Sequence, residues 1–289
     1  MQKFLPILLF PLVIVMIACS PADDSEEGVN IWVTLLPQKS FVEAVAGDSA
    51  QVSVMVRSGQ SPETYSPSAS QMGLLAQSDI YFGIGMPLER NILSRIERSM
   101  PRLVFVQTAD LIAVPHDHSH DGACLHGDED PHVWMDPIWM LGFVEQVRVA
   151  LSDLQPEQAE LFAANAALLS QKLRDLDAGL QEKFGPYAGR SFYINHPSLG
   201  HFAERYGLVQ RSIEVGGSAP SARQVAELVA AAKADQVGAI FTQPEFGRSS
   251  ADVLARALEV EVVTLDILSE EYFGNMLEIA QRLKDSFKQ

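Results

Sequence analysis

The stretch PEQAELFAANAALLSQKLRDLDAGLQEKFGP, residues 156–186, decides the fold. Leu169, Leu173, Leu176, Leu180 and Phe184 step by three or four residues, which puts them on one face of an α-helix. Pro156 suits a first turn, where its missing N–H costs nothing, and Gly185-Pro186 ends the run. At about 1.5 Å per residue the helix is roughly 40 Å long, enough to run the height of two domains. It is expected to connect two lobes as the segment 154–185.

Outward from this helix, both flanks alternate short apolar runs with amphipathic ones. Upstream, strands are expected at 29–36, 51–56, 79–84 and 103–106, with helices at 40–46, 68–77 and 88–100. After Asp136-Pro137 the pattern turns helical. Downstream, strands at 191–195, 209–213, 237–242 and 260–265 alternate with helices at 200–206, 221–234, 249–258 and 272–287. Strands that alternate with helices imply an α/β fold: two lobes, each a mainly parallel sheet flanked by helices, joined by one long rigid helix. The expected boundaries are 29–153 for the N-terminal lobe and 186–289 for the C-terminal lobe. The halves share a rhythm without an alignable repeat.

A chain of 289 residues that is 47% hydrophobic buries a real core. Its formal charge of −16 argues against a nucleic-acid partner and against electrostatic adhesion to anionic lipid, and suits attraction of cations. The first residues read as an export signal, 1–18: Lys3 is followed by an apolar stretch that ends in Met16-Ile17-Ala18-Cys19. That stretch contains Pro6 and Pro11 and falls short of the roughly 20 apolar residues a spanning helix needs. A small residue before Cys19 resembles the cleavage box of bacterial lipoproteins, although Met16 stands where leucine is usual. On this reading Cys19 carries lipid, 19–28 is a polar tether, and the protein sits in the periplasm or on the outer face of the cell membrane. Cys19 and Cys124 are the two cysteines, so a disulfide between them is the alternative; if Cys19 is lipidated, Cys124 is a lone thiol.

Four isolated polar groups stand just past expected strands or in turns, where α/β sheets present ligands: Glu63, His132, His196 and Asp266. Two come from each half, so a cleft between lobes would unite them. Two imidazoles and two carboxylates form a mixed nitrogen and oxygen set for a divalent ion, and the two carboxylates cancel its charge. Singly, each has a plainer reading: His196 before Pro197 satisfies a turn, Asp266 caps the end of its strand, and Glu63 is solvated in a loop.

The segments 59–68 (GQSPETYSPS), 130–137 (DPHVWMDP) and 196–208 (HPSLGHFAERYGL) resemble motifs of the zinc/manganese ABC-transporter solute-binding proteins. PSARQ at 220–224, IFTQPEF at 240–246 and LDIL at 265–268 continue the resemblance in order, over nearly the whole chain after residue 28. It implies two α/β lobes joined by one rigid helix with the metal between them, and it places the second, third and fourth ligands on His132, His196 and Asp266. The family's first ligand is a histidine, and here that position is Glu63. A glutamate keeps the site competent but makes it harder, towards manganese or iron. A second feature favours zinc. His116, His118, His120, His126 and His132 are five of the seven histidines, and the loop 116–130 has no strand or helix period. A solvated acidic loop is the plain alternative; the resemblance is to zinc-specific members, in which such a loop gathers ions.

The implied partners are an ABC permease with its ATPase, and the membrane through lipid on Cys19, with the protein itself a monomer. Zn2+ is the expected cargo, with Mn2+ or Fe2+ as alternatives. No Ser-His-Asp, Walker or HExxH pattern asks for an enzyme. A surface metallohydrolase using the same ligands with Glu245 as base, or an adhesin, are the competing readings.

Overall fold

The computed structural model describes residues 28–108 and 130–287. The readings of 1–18 and Cys19, and those of His116, His118, His120, Cys124 and His126, lie outside the described residues.

Two four-stranded parallel sheets form the body. In the first, β1 (Val29–Val33) pairs with β2 (Ala50–Val54) and β3 (Ile80–Gly83), and β3 pairs with β4 (Val104–Gln107), which gives the order β2-β1-β3-β4. The second repeats that order as β6-β5-β7-β8, with β5 at Ser191–Ile194, β6 at Val209–Ser212, β7 at Ala239–Thr242 and β8 at Glu261–Thr264. Inner strands β3, β5 and β7 are buried throughout, as expected where helices cover both faces of a parallel sheet. In each sheet the chain reverses its winding between the first and third strands, which opens a crevice at the strands' carboxyl ends.

Local chemistry explains where the crossovers begin. The first, α1 (Leu36–Ala46), starts earlier than its apolar pattern suggested because Gln38 Oε1 accepts from the backbone N–H of Thr34 (3.1 Å) and Leu35 (2.9 Å). The second, α2 (Ala69–Leu75), begins at the Ser68–Gln71 capping box. Helix α3 (Pro87–Ser99) follows the Gly83-Ile84-Gly85 turn, where the N–H groups of Ile84 and Gly85 donate to Glu89 at 2.8 Å. A Cβ on Gly83 would stand 2.8–2.9 Å from Glu89, Gln107 and Phe105, so the glycine is there for close packing.

The segment between the sheets is a helical hairpin. Helix α4 (Pro137–Leu154) is capped by Asp136, and α5 (Ala159–Phe184) follows after a 3-10 turn at Pro156–Gln158. Thus the first three residues of the expected helix wind more tightly and the remaining 26 form α5, about 39 Å long. The leucine stripe and Phe184 are buried as the spacing demands. Asn165 on α5 donates to Val45 O of the first lobe (3.1 Å), and Lys183 near its end donates to Gln281 of the second (3.0 Å).

In the second lobe, α6 (Gly200–Arg205), α7 (Ala222–Ala234), α8 (Ser249–Leu258) and α9 (Tyr272–Ser286) complete the crossovers. One apolar cluster runs through both lobes, from Val29 to Phe287, and a smaller one lies under α7 and α8. Phe41 of α1 meets Tyr272 edge-on at 4.9 Å and stacks with Phe273 at 5.9 Å, so aromatic packing crosses directly between lobes. Among the described residues no helix is long and apolar enough to cross a membrane.

Candidate metal centre

Each candidate side chain is held by its local structure. Glu63 sits in the loop between β2 and α2. Gln71 fastens that loop at both ends: its Nε2 donates to Met55 O (2.9 Å), and its Oε1 accepts from Tyr65 Oη (3.0 Å) and Ser68 N (3.0 Å). His132 precedes the 3-10 turn Val133–Met135, ahead of α4. Trp134 in that turn donates to Ile267 O (2.8 Å), and Tyr272 donates back to Trp134 O (2.9 Å), which ties the His132 segment to the opposite lobe. His196 follows β5, and Gln243 Nε2 donates to its carbonyl at 2.6 Å.

Three of the four candidates converge. Ligand atoms of Glu63, His132 and His196 all lie within 4.8 Å of one another, the one such group among the described residues. Glu63 Oε1 is 2.8 Å from His196 Nε2 and 3.8 Å from His132 Nε2. The two imidazoles meet edge to face at 5.3 Å, and both histidines are 1% exposed. Asp266 stands apart from this group. It follows β8 as expected, but its carboxylate is exposed, and Oδ1 accepts from Leu268 N at 2.9 Å. Half-buried Glu245 lies near it, and burial together with the Asp266 charge raises the Glu245 carboxyl above its usual range.

Both rings are gripped on the far side. His132 Nδ1 is 2.6 Å from Asp130 Oδ1, and His196 Nδ1 is 3.2 Å from Glu214 Oε2. Phe246 stacks flat on His196 at 4.0 Å. Burial pushes the Asp130 carboxyl up, but His132 and His201 outweigh it and hold the group well below the usual carboxylate range. Burial likewise lowers His196, yet Glu214 and Glu63 carry it up to about 9. At neutral pH a proton on His196 Nε2 therefore links it to Glu63, and a metal ion binding there has to displace it.

The donor set suits a divalent transition metal: two imidazole nitrogens and one carboxylate share a buried spot, and the carboxylates around it offset the ion's charge. The strand-end rule located His196, which follows β5, and His132 was found through the 130–137 motif. Asp130 was visible only as a motif neighbour of His132. Glu214 carried no local signal; it becomes meaningful once β6 is known to pair with β5, which sets Glu214 beside Asn195 and His196.

A family model described as "Zinc-uptake complex component A periplasmic" matches residues 31–286. The zinc-binding lipoprotein AdcA of Streptococcus pneumoniae is 28% identical over 279 residues, 93% of this chain and 56% of that protein. The chain thus spans about half the length of the curated relatives it first matches. A putative metal-binding protein of Chlamydia trachomatis is 27% identical over 282 residues, covering 96% of this chain and 98% of its own. Among solved structures, a crystal structure of ZnuA superposes with a TM-score of 0.82 at 27% identity, over 91% of this chain and all of that one. The Zn(II)-bound ZnuA-like domain of S. pneumoniae AdcA gives 0.74 at 26% identity, over 91% of this chain and 100% of that domain. A match across 31–286, on the fold these structures share, means that the chain belongs to the family of periplasmic component A proteins of zinc-uptake complexes.

Proposed function

We propose that the protein is the extracytoplasmic solute-binding component of an ABC importer. It binds Zn2+ between its lobes through Glu63, His132 and His196 and delivers it to a membrane permease driven by its ATPase. The observation that carries this reading is the convergence of those three donors on one buried point between two α/β lobes. Asp266, on the rim at the end of β8, is proposed as the fourth ligand, recruited when the ion is present. The working division is 29–153, 154–185 and 186–289, with His116, His118, His120 and His126 gathering ions on the 116–130 loop and lipid on Cys19 holding a monomer at the membrane. Transport of this kind needs no bond-making chemistry.

Glu63 supports a second reading in which Mn2+ or Fe2+ is the cargo, since a carboxylate in place of an imidazole hardens the site. Calorimetric titration of the chain from residue 19 onwards with zinc and with manganese separates the two. One tight zinc site is expected, weakened by about 100-fold in His196→Ala, which corresponds to losing one ligand of about 3 kcal/mol. Tighter binding of manganese than of zinc would favour the second reading, and no binding of either ion would end both.

A further inference from the structure

Resting on the zinc-site reading, we propose that Asp130 and Glu214 are positioning residues that fix the tautomer and aim of the two histidines, so that Nε2 of both faces the metal. A carboxylate only accepts hydrogen bonds, so a ring held through Nδ1 by a carboxylate keeps its proton there and turns its Nε2 lone pair outward. Both rings have this arrangement, from separate parts of the chain. His132 Nδ1 donates to Asp130 Oδ1 (2.6 Å) and His196 Nδ1 to Glu214 Oε2 (3.2 Å), while both Nε2 atoms face Glu63 Oε1.

The supporting carboxylates are themselves fixed, which separates them from charges that merely neutralise a nearby imidazole. Asp130 Oδ1 also accepts from His132 N (3.0 Å), and its backbone carbonyl accepts from His201 Nε2 (2.9 Å) across the lobe boundary. Its other oxygen lies against Gly200, where any Cβ would collide with it. Glu214 Oε1 accepts from Asn195 Nδ2 (2.9 Å), and that amide also reaches Gly247 O (3.2 Å). Beyond Glu214 the chain reverses through Gly216 and Gly217, both at positive φ, and Val215 and Ser218 close the turn by a bridge. Removing either carboxylate leaves the ligand in place but frees its ring to choose the other tautomer, whose Nε2–H cannot bind a metal.

Glu214→Gln keeps the size of the side chain while removing its charge, and one amide oxygen cannot replace the two carboxylate oxygens that now accept separately from Asn195 and His196. Asp130 accepts from His132 N and Nδ1 on the same oxygen, so Asp130→Ala is the variant that removes its hold on the ring. With the wild type binding zinc, each variant is expected to bind it about 10- to 100-fold more weakly in competition with a chromogenic chelator. In nitrogen-15 spectra of the zinc-loaded wild type both site histidines should appear as Nδ1–H, Nε2-bound rings. In Glu214→Gln the His196 signals should lose that pattern while those of His132 keep it, and the reverse is expected in Asp130→Ala. Affinity within about twofold of wild type, or unchanged histidine signals in both variants, overturns the proposal. Failure of the wild type to bind zinc would instead overturn the zinc-site reading on which it rests.

Discussion

His196 is a histidine for which a proton and a metal compete. Its imidazole is raised to about 9 because Glu214 and Glu63 outweigh the effect of burial. A folded pKa above the unfolded value of 6.5 means that stabilisation from the charged ring is fully present below about pH 6.5 and is lost as pH rises through about 9. Zinc has the opposite dependence, since it needs the neutral ring. Its apparent affinity is expected to rise up to about tenfold per pH unit between pH 7 and about 9. Titration at pH 7 in buffers of different ionisation enthalpy should count about one proton released per zinc; none released would contradict the assignment. Glu63 is the other residue that bears on the ion. Glu63→His should shift the preference from manganese towards zinc, and a variant with an unchanged ratio of the two affinities would show that Glu63 is no ligand. His196 was legible from sequence because strand ends are where parallel sheets present ligands, and His132 because it sits in the DPHVWMDP motif ahead of α4. Glu214 was not, because its role depends on a strand neighbour that no local pattern encodes.

Between sequence and whole fold stand the helices, and α5 shows how much periodicity reveals. Its buried face holds every member of the stripe from Leu169 to Phe184, extended by Phe162 and Ala166 and joined by Asp177, since side-chain spacing decides which face a helix hides. Leu173, fully buried, should cost about 2–5 kcal/mol on truncation to alanine, whereas Leu168, 68% exposed on the opposite face, should cost within about 0.5 kcal/mol. Urea unfolding of the two variants checks this; equal costs would mean that the face is misassigned. The boundary between α4 and α5 was read at Pro156; what periodicity did not give was the 3-10 turn with which the second helix opens. Both helices are apolar on one side, and the break falls on Gln155-Pro156, where Pro156 opens a tight turn instead of the α-helix itself. The start of α1 was missed because its N-cap is Leu35, whose side chain caps nothing: Gln38 at the third helical position bonds back to Leu35 N, and that half of a capping box gives little signal without Ser or Thr three residues before it.

Across the molecule, the same strand order occurs twice and one apolar cluster joins the two copies. The link is mostly apolar. Phe41, 1% exposed between α1 and α9, should cost about 3–5 kcal/mol when cut to alanine. The Lys39–Glu270 pair across the same boundary, at 2.6 Å but partly exposed, should cost under about 1 kcal/mol when Lys39 is replaced by alanine. Thermal denaturation of both variants would show whether packing or charge joins the lobes. The alternation of strands and helices made this architecture readable, but the meeting of the lobes was not, because Phe41 and Tyr272 lie 231 residues apart and touch only once both sheets exist. That closure places Glu63 and His132 from one half against His196 from the other. Crystals of the zinc-loaded protein, measured on both sides of the zinc absorption edge, test this most directly. One strong anomalous peak is expected at about 2.0–2.2 Å from Nε2 of His132, Nε2 of His196 and a carboxylate oxygen of Glu63. A peak elsewhere, or one that touches neither histidine, would contradict it.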